Sequence, residues 1–249
     1  MQNLSEFRSG ADYDAQYDHL YDPEIVYLTQ MALGQKGAIL DVCCGTGIVT
    51  IPLAEKTGFE VHGVDVAEDM LVAARAKAQH LHNIHFHLAD ALDFHLDQQF
   101  ALSIMTGNAF QAFLTEENAM SLLQNIHQHL SEGGLLIFDT RLMEGTDLIV
   151  DADFKLKSEY IDAAGNDVRY FWKKTRFDDV NHILYFDKKR QYPDGNEVFS
   201  GIELKFFSLE ELYSLFDRAG FEVLHQFSNW QMSPFDPAGS GAVFVLQKG

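Results

Sequence analysis

Short apolar runs alternate along this chain with longer stretches in which apolar residues recur every three or four positions. Ile39, Leu40 and Val42 form a strand run of the fully buried kind. A glycine turn follows, and Ile48, Val49, Ile51, Leu53 and Ala54 then recur at mainly helical spacing, predicting a helix over 48–57. The same alternation predicts strand 60–65, helix 67–80, strands 84–88 and 100–106, helix 115–130 and strand 135–140. Ser131-Glu132-Gly133-Gly134 reads as the cap and turn before the last of these. Residues 1–36 read as helical and acidic, with Pro23 restarting the helix at its first position. Tyr13, Tyr17 and Tyr21, four apart, share one helix face. Strand and helix in alternation predict an α/β fold, a parallel sheet with helices on both faces.

After Arg141 the period changes to that of strands. Residues 154–207 read as four antiparallel strands, with turns at Ala164-Gly165-Asn166-Asp167, Asp178-Asp179-Val180-Asn181 and Pro193-Asp194-Gly195-Asn196. Val198, Ile202, Leu204 and Phe206 alternate with Glu203 and Lys205, the pattern of a half-solvated strand. A block of about 55 residues is marginal as an independent domain. We therefore expect one domain over 1–249, with 142–207 as a β-rich insertion over the active site and 1–36 as a helical lid. Helix resumes at Ser208, where Glu211 completes a capping box, and stops at Gly220. Strands 221–228 and 242–247 end the chain.

Charge sharpens this division. The net charge is −19 over 249 residues, yet the stretch from Lys155 to Lys205 holds ten bases against nine acids. The rest of the chain is strongly acidic, which opposes binding to phosphate backbones and favours neutral or cationic small substrates. No apolar run approaches the roughly 20 residues of a membrane span. The N-terminus lacks a basic start followed by an apolar secretory core. The two cysteines are the adjacent Cys43 and Cys44, which face opposite ways in a strand and do not form a structural disulfide. These features predict a cytoplasmic protein, monomer or homodimer, with no membrane or nucleic-acid partner.

The turn after the first strand predicts a nucleotide-like ligand. A dinucleotide site wants three glycines; here Gly45 and Gly47 are followed by Thr50 at the third position. Asp65 ends the next strand 20 residues after Gly45, where a carboxylate can accept from two ribose hydroxyls. Dinucleotide and methyl-donor sites share that arrangement, so Asp65 alone leaves both open. Taken with Asp41-Val42-Cys43-Cys44-Gly45-Thr46-Gly47 and with Ala89-Asp90-Ala91 after the third strand, it resembles the class I S-adenosylmethionine-dependent methyltransferases. The resemblance is close over 37–140 and looser to the end, departing at Cys43, where glycine is usual. It implies a Rossmann-like, seven-stranded, mostly parallel sheet with a reversed final hairpin.

The resemblance also implies roles. Asp41 and the backbone from Cys43 through Gly45 to Gly47 hold the methionine end of S-adenosyl-L-methionine. Asp65 takes the ribose diol. Val66 and Met70 pack on the adenine, Met70 being equally suited to plain helix core. Asp90 and the Ala91 N–H meet the adenine edge. Thr106, Gly107 and Asn108 line the sulfonium and substrate mouth. The acidic helix around Tyr17 and Tyr21, with the β insertion, looks like the small-molecule N-methyltransferases. Tyr17 and Tyr21 are expected beside the methyl group, simple packing being the alternative. Arg141 meets either an acidic substrate group or a helix C-terminus. Trp172 and Trp230, with Tyr160, Tyr170, Tyr185, Phe186 and Tyr192, either wall a substrate pocket or pack the hairpins. The strand-four turn, Thr106-Gly107-Asn108-Ala109-Phe110, lacks the Pro-Pro of DNA amino-methyltransferases.

The eleven histidines show no zinc-ligand spacing: His85 and His87 share a strand face, with His82 nearby, while His127 and His129 point apart on a helix. No metal is expected. The expected reaction is methyl transfer to a small-molecule amine by in-line displacement. Alternatives are a non-catalytic nucleoside-binding protein on the same fold and a methyltransferase acting on oxygen or RNA. A nicotinamide oxidoreductase is disfavoured by Thr50.

Overall fold

Apolar runs that must be buried on both faces build the central sheet. The computed structural model describes residues 5–249; the helical reading of 1–4 falls outside them. Strands β1 (Ile39–Val42), β2 (Val61–Asp65), β3 (Ile84–Leu88), β4 (Phe100–Met105) and β5 (Leu130–Arg141) are parallel. Helices α3 (Thr50–Thr57), α4 (Glu68–Lys77) and α5 (Glu116–His129) follow β1, β2 and β4. Two core clusters form, one on each sheet face, around Phe110, Phe138 and Phe244 and around Leu28, Leu53 and Val61.

The closing strands β10 (Phe221–Phe227) and β11 (Gly241–Lys248) form an antiparallel hairpin, and β11 inserts beside β5 to give the order β10-β11-β5-β4-β1-β2-β3. This is the expected sheet with its reversed hairpin. Its strand order reverses between β1 and β4, so a crevice opens above their C-terminal ends. Helix α6 (Leu209–Arg218), before the hairpin, carries both bonds of the predicted capping box at Ser208 and Glu211.

Boundaries differ where a turn is absorbed into a ladder. The expected cap and turn at 131–134 lies inside β5: Leu130 already pairs with Phe100, and a register shift accommodates the glycines before Leu135 pairs with Leu102. The N-terminal helix is two helices, α1 (Gly10–Tyr17) and α2 (Asp22–Gln35), joined by a 3-10 turn at 18–20, with Pro23 in the first turn of α2. Tyr21 therefore stands at a junction and not on one continuous face with Tyr13 and Tyr17. No helix among the described residues is long and apolar enough to cross a membrane.

The insertion is a separate antiparallel sheet of β6 (Lys155–Ile161), β7 (Asp167–Asp178), β8 (Ile183–Gln191) and β9 (Glu197–Lys205), in that order. Its inner face is fastened to the N-terminal segment by one buried carboxylate. Glu6 accepts bonds from Arg190 at 2.8 and 3.1 Å and from Ser200 at 2.6 Å, and lies 3.1 Å from the Lys188 ammonium. Burial alone would raise this carboxyl, but Lys188 and Arg190 reverse the effect and hold it at about 2.

Because the folded value lies below the unfolded one, the clamp contributes above about pH 4.5 and is lost as pH falls toward 2. Glu6→Gln, which strands two cations, should cost about 3 kcal/mol at pH 7. Thermal melts should show the difference from wild type shrinking below pH 4.5; a difference independent of pH would contradict this account.

Candidate functional site

The turn after β1 is built by backbone that few residues adopt. Cys43, Gly45 and Gly47 all have positive φ, at 62°, 55° and 77°. Cys43 thus pays a steric cost at the position where glycine is usual in the resembled family. Its thiol and that of Cys44 are free, and burial raises both well above the ordinary range, with Asp65 and Asp41 adding to the effect. Neither is poised as a nucleophile.

Carboxylates converge on this turn. Asp65 at the end of β2 accepts the Gly45 N–H at 2.8 Å with one oxygen and the Ala67 N–H at 2.8 Å with the other. Asp41 is buried within β1 and accepts from the Thr50 hydroxyl at 2.6 Å. Burial drives its carboxyl up to about 7, and the Asp65 charge adds to this. Asp139 near the end of β5 accepts the Asn108 N–H at 3.0 Å. Burial lifts it to about 6, against the pull of the Asn108 bond, Arg141 and the Trp230 indole. Asp90 follows β3 and accepts the Leu92 N–H at 3.0 Å. Among the described residues, none of these four carboxylates has a salt bridge within 4.0 Å.

The tyrosines lie over the β4 end of the crevice. A Cβ on Gly107 would meet the Tyr21 hydroxyl at 2.6 Å, so the ring seats directly on that glycine. Tyr13 and Tyr21 hydroxyls are 3.3 Å apart, and Tyr17 reaches the Tyr170 hydroxyl of β7 at 3.5 Å. Burial pushes Tyr13 up to about 12 and Tyr17 and Tyr21 further, so all three stay protonated. Helix α1 closes onto the glycine turn through Asp14, which bonds the Thr46 hydroxyl and, at 2.5 Å, the Lys77 ammonium.

The other expected site residues separate into two groups. Thr106 and Asn108 flank Gly107, and Ala91 and Met70 are buried beneath the crevice, Met70 with its methyl facing Gly45. Val66 lies between Asp65 and the Ala67 N–H that Asp65 caps. Arg141 donates to the Gln111 side chain at 2.8 Å, in the 3-10 turn Ala109–Ala112. Trp230 is only 8 % exposed and packs on Tyr27, its indole nitrogen turned toward Asp139. It supports the floor and does not wall the mouth.

Trp172 packs against Phe186 and under Lys157 within the insertion. Tyr185 stacks on Arg176, and Tyr160 and Tyr192 line a distal groove of about 710 Å³. Of the insertion aromatics, Tyr170 is the one bonded to the tyrosine helix.

Sequence reasoning passed over Thr50, read only as a missing glycine, and Asp139, whose signal was a lone carboxylate in the apolar run of β5. Tyr13 was noted only as a helix-face neighbour.

Residues 39–134 match the family model of a methyltransferase domain. The chain is 27 % identical over 221 residues to the putative methyltransferase YqeM of Bacillus subtilis, covering 85 % of this chain and 84 % of that one. It is 35 % identical over 126 residues to the glycine/sarcosine N-methyltransferase of Aphanothece halophytica, about half of each chain (49 % and 46 %). In fold it resembles the CcbJ methyltransferase of Streptomyces caelestis, with TM-score 0.83, 21 % identity and 98 % of both chains covered. An S-adenosylmethionine-bound amino pentose methyltransferase of Micromonospora echinaspora gives TM-score 0.73 at 22 % identity, over 95 % and 96 % of the two chains. The chain carries a methyltransferase domain over residues 39–134, on the fold of the class I S-adenosylmethionine-dependent methyltransferases.

The crevice of this methyltransferase suits its cofactor chemically. S-adenosylmethionine carries a sulfonium and an ammonium, and the described crevice offers carboxylates without a salt bridge, Asp139 alone feeling a nearby cation in Arg141. In the free enzyme that charge is a burden. The folded Asp41 carboxyl, raised to about 7 from 3.8, holds a proton that the unfolded chain releases, so stability falls as pH rises across that window.

Asp41→Asn keeps an oxygen for Thr50 and removes the charge. It should stabilise the free enzyme by about 1–3 kcal/mol at pH 8 and by less at pH 5. Thermal melts at the two pH values decide this, and an equally destabilised variant at both would refute it.

Proposed function

We propose that this methyltransferase transfers the methyl group of S-adenosylmethionine to the amine nitrogen of a small molecule. The observation that carries the reading is the roof of protonated tyrosines, with Tyr21 seated on Gly107, beside a crevice rich in carboxylates. In this reading Asp41 and the turn from Cys43 to Gly47 hold the methionine end. Asp65 takes the ribose diol, Asp90 and the Ala91 N–H the adenine edge, and Val66 and Met70 the adenine face. Thr106 and Asn108 border the sulfonium.

The bound cofactor supplies a methyl group already activated on sulfur. What remains for the protein is to align the nucleophile and exclude water. Tyr21 and Tyr17, neutral at physiological pH, accept the amine N–H bonds and aim the lone pair along the line of displacement. They do not serve as bases. The acidic field of a chain with net charge −19 draws in amines and repels nucleic acid. Support also comes from similar proteins, among them a glycine/sarcosine N-methyltransferase and a sugar N-methyltransferase.

Arg141 favours one subclass of acceptor. Its guanidinium is largely buried, its pKa drawn down by desolvation against the raising influence of Asp139, and its hydrogen-bond partner is the neutral Gln111. A cation held this way beside Tyr17 and Tyr21 suits an amine that also bears a carboxylate.

Methyl transfer from labelled cofactor to a panel of small amines, amino acids, amino sugars and alcohols tests the reading. Amines should be methylated and alcohols not; transfer confined to alcohols would overturn it. Asp65→Ala should weaken cofactor binding at least about tenfold by calorimetry. Tyr21→Phe should lower kcat about 10–100-fold with cofactor affinity kept. Arg141→Gln should raise KM for carboxylated amines alone.

A further inference from the structure

Away from the crevice, the parallel pairing of β2 with β3 collects metal-ligating side chains that lie far apart in sequence. His62 pairs in register with His85, and Glu60 and His87 lie two residues away on the same face. The Glu60 Oε1 atom is 3.1 Å from His62 Nε2 and 3.3 Å from His85 Nε2, and all three atoms lie within 4.8 Å of one another. A tetrahedral zinc ion with ligand bonds of about 2.0–2.1 Å separates its ligand atoms by about 3.3 Å. Both contacts to Glu60 fall near that value.

We propose that Glu60, His62 and His85 bind a divalent transition-metal ion, zinc or a metal of similar ligand preference, in a three-ligand site with one position open to solvent. Supporting contacts are already in place. His87 Nε2 lies 3.1 Å from His62 Nδ1, which fixes the ring so that Nε2 faces the site. Gln98 bonds the second Glu60 oxygen at 3.4 Å, leaving Oε1 for the ion. Phe100 packs edge-on against His62 at 5.2 Å and holds the imidazole from below. His62 is buried while Glu60 and His85 are exposed, so the ion has an entry path.

The site has no part in methyl transfer. Asp65, three residues beyond His62, lies on the opposite face and at the far end of β2. The ion's place is structural: it ties the edge strand β3 to β2, and these two strands lead into Asp90 and Asp65. On binding, the ion replaces the proton shared between Glu60 and His62, which passes to solvent.

Chelator-treated protein titrated with Co²⁺, followed by visible absorption and then displaced by Zn²⁺, tests this. One equivalent should bind with Kd below about 10 µM, and saturating Zn²⁺ should raise Tm. His85→Ala and Glu60→Gln, both at exposed positions, should weaken binding at least about tenfold. His80→Ala, whose ring pairs with Glu55 elsewhere on the surface, should leave it unchanged. No saturation by about 100 µM Zn²⁺ would identify the cluster as a histidine–carboxylate ion pair only. Equal affinity in wild type and His85→Ala would place the ion elsewhere. Either result overturns the proposal.

Discussion

Asp41, Asp65 and Asp139 are held at the ends of strands that border one crevice, desolvated and without a salt bridge within 4.0 Å. Hydrogen bonds from Thr50, from the Gly45 and Ala67 amides and from Asn108 keep them in place, but hydrogen bonds to a carboxylate do not cancel its charge. The raised values of Asp41 and Asp139 measure the deficit. A fold tolerates such groups only where the rest of the structure over-determines them. Here the apolar strands of a doubly covered sheet do so. Each carboxylate terminates or interrupts a strand whose apolar residues are buried, so it cannot move out to water without disturbing the ladder. Arg141 offsets Asp139 in part, and Asp41 and Asp65 have no such cation.

The same constraint explains the turn. Asp65 bonds Gly45 across from β2, which closes the loop over the end of β1 and forces positive φ at Cys43, Gly45 and Gly47. A glycine at the first of these would relieve strain. Cysteine is small enough to persist there, and its neighbour Cys44 fills the space left by Gly63, where a Cβ would meet its sulfur at 2.8 Å. The pair is a packing solution, consistent with thiols that burial keeps protonated.

What could be read from the sequence follows from the range of the forces involved. Strand and helix periods, the hairpin turns of the insertion and the Ser208 capping box are local, and each appears where its residues predict it. Asp41 and Asp65 stand out in the sequence because a glycine turn lies just after the one and 20 residues before the other, whereas Asp90 stands out only through the family resemblance. Asp139 and Thr50 do not, because their importance comes from a partner 31 or 9 residues away. The Glu6 clamp spans 184 residues to Arg190, and no periodicity announces such a pair. Trp172 and Trp230 show the converse: aromatic character suggested a pocket wall, but hairpin packing and the floor beneath Asp139 use them first. The break of the N-terminal helix at 18–20 likewise turns on tertiary demand, since Tyr21 must leave the helix face to reach Gly107.

That break connects the crevice to the rest of the molecule. Tyr21 rests on the β4 turn, Tyr17 bonds Tyr170 on the insertion, and Gln16 beside it accepts from Arg190, which also grips Glu6. Helix α1 is therefore held at three points: the glycine turn through Asp14, the insertion sheet through Gln16 and Tyr17, and the crevice through Tyr13, whose hydroxyl meets that of Tyr21. These contacts, part-buried or buried, couple helix α1 to both the crevice and the insertion. The basic bias of residues 155–205 thereby acquires a physical role. Its cations Lys188 and Arg190 face inward to hold Glu6 of the N-terminal segment, while the rest of the chain keeps its acidic field. An insertion with the acidity of the rest of the chain would repel Glu6 and leave the tyrosines without a seat.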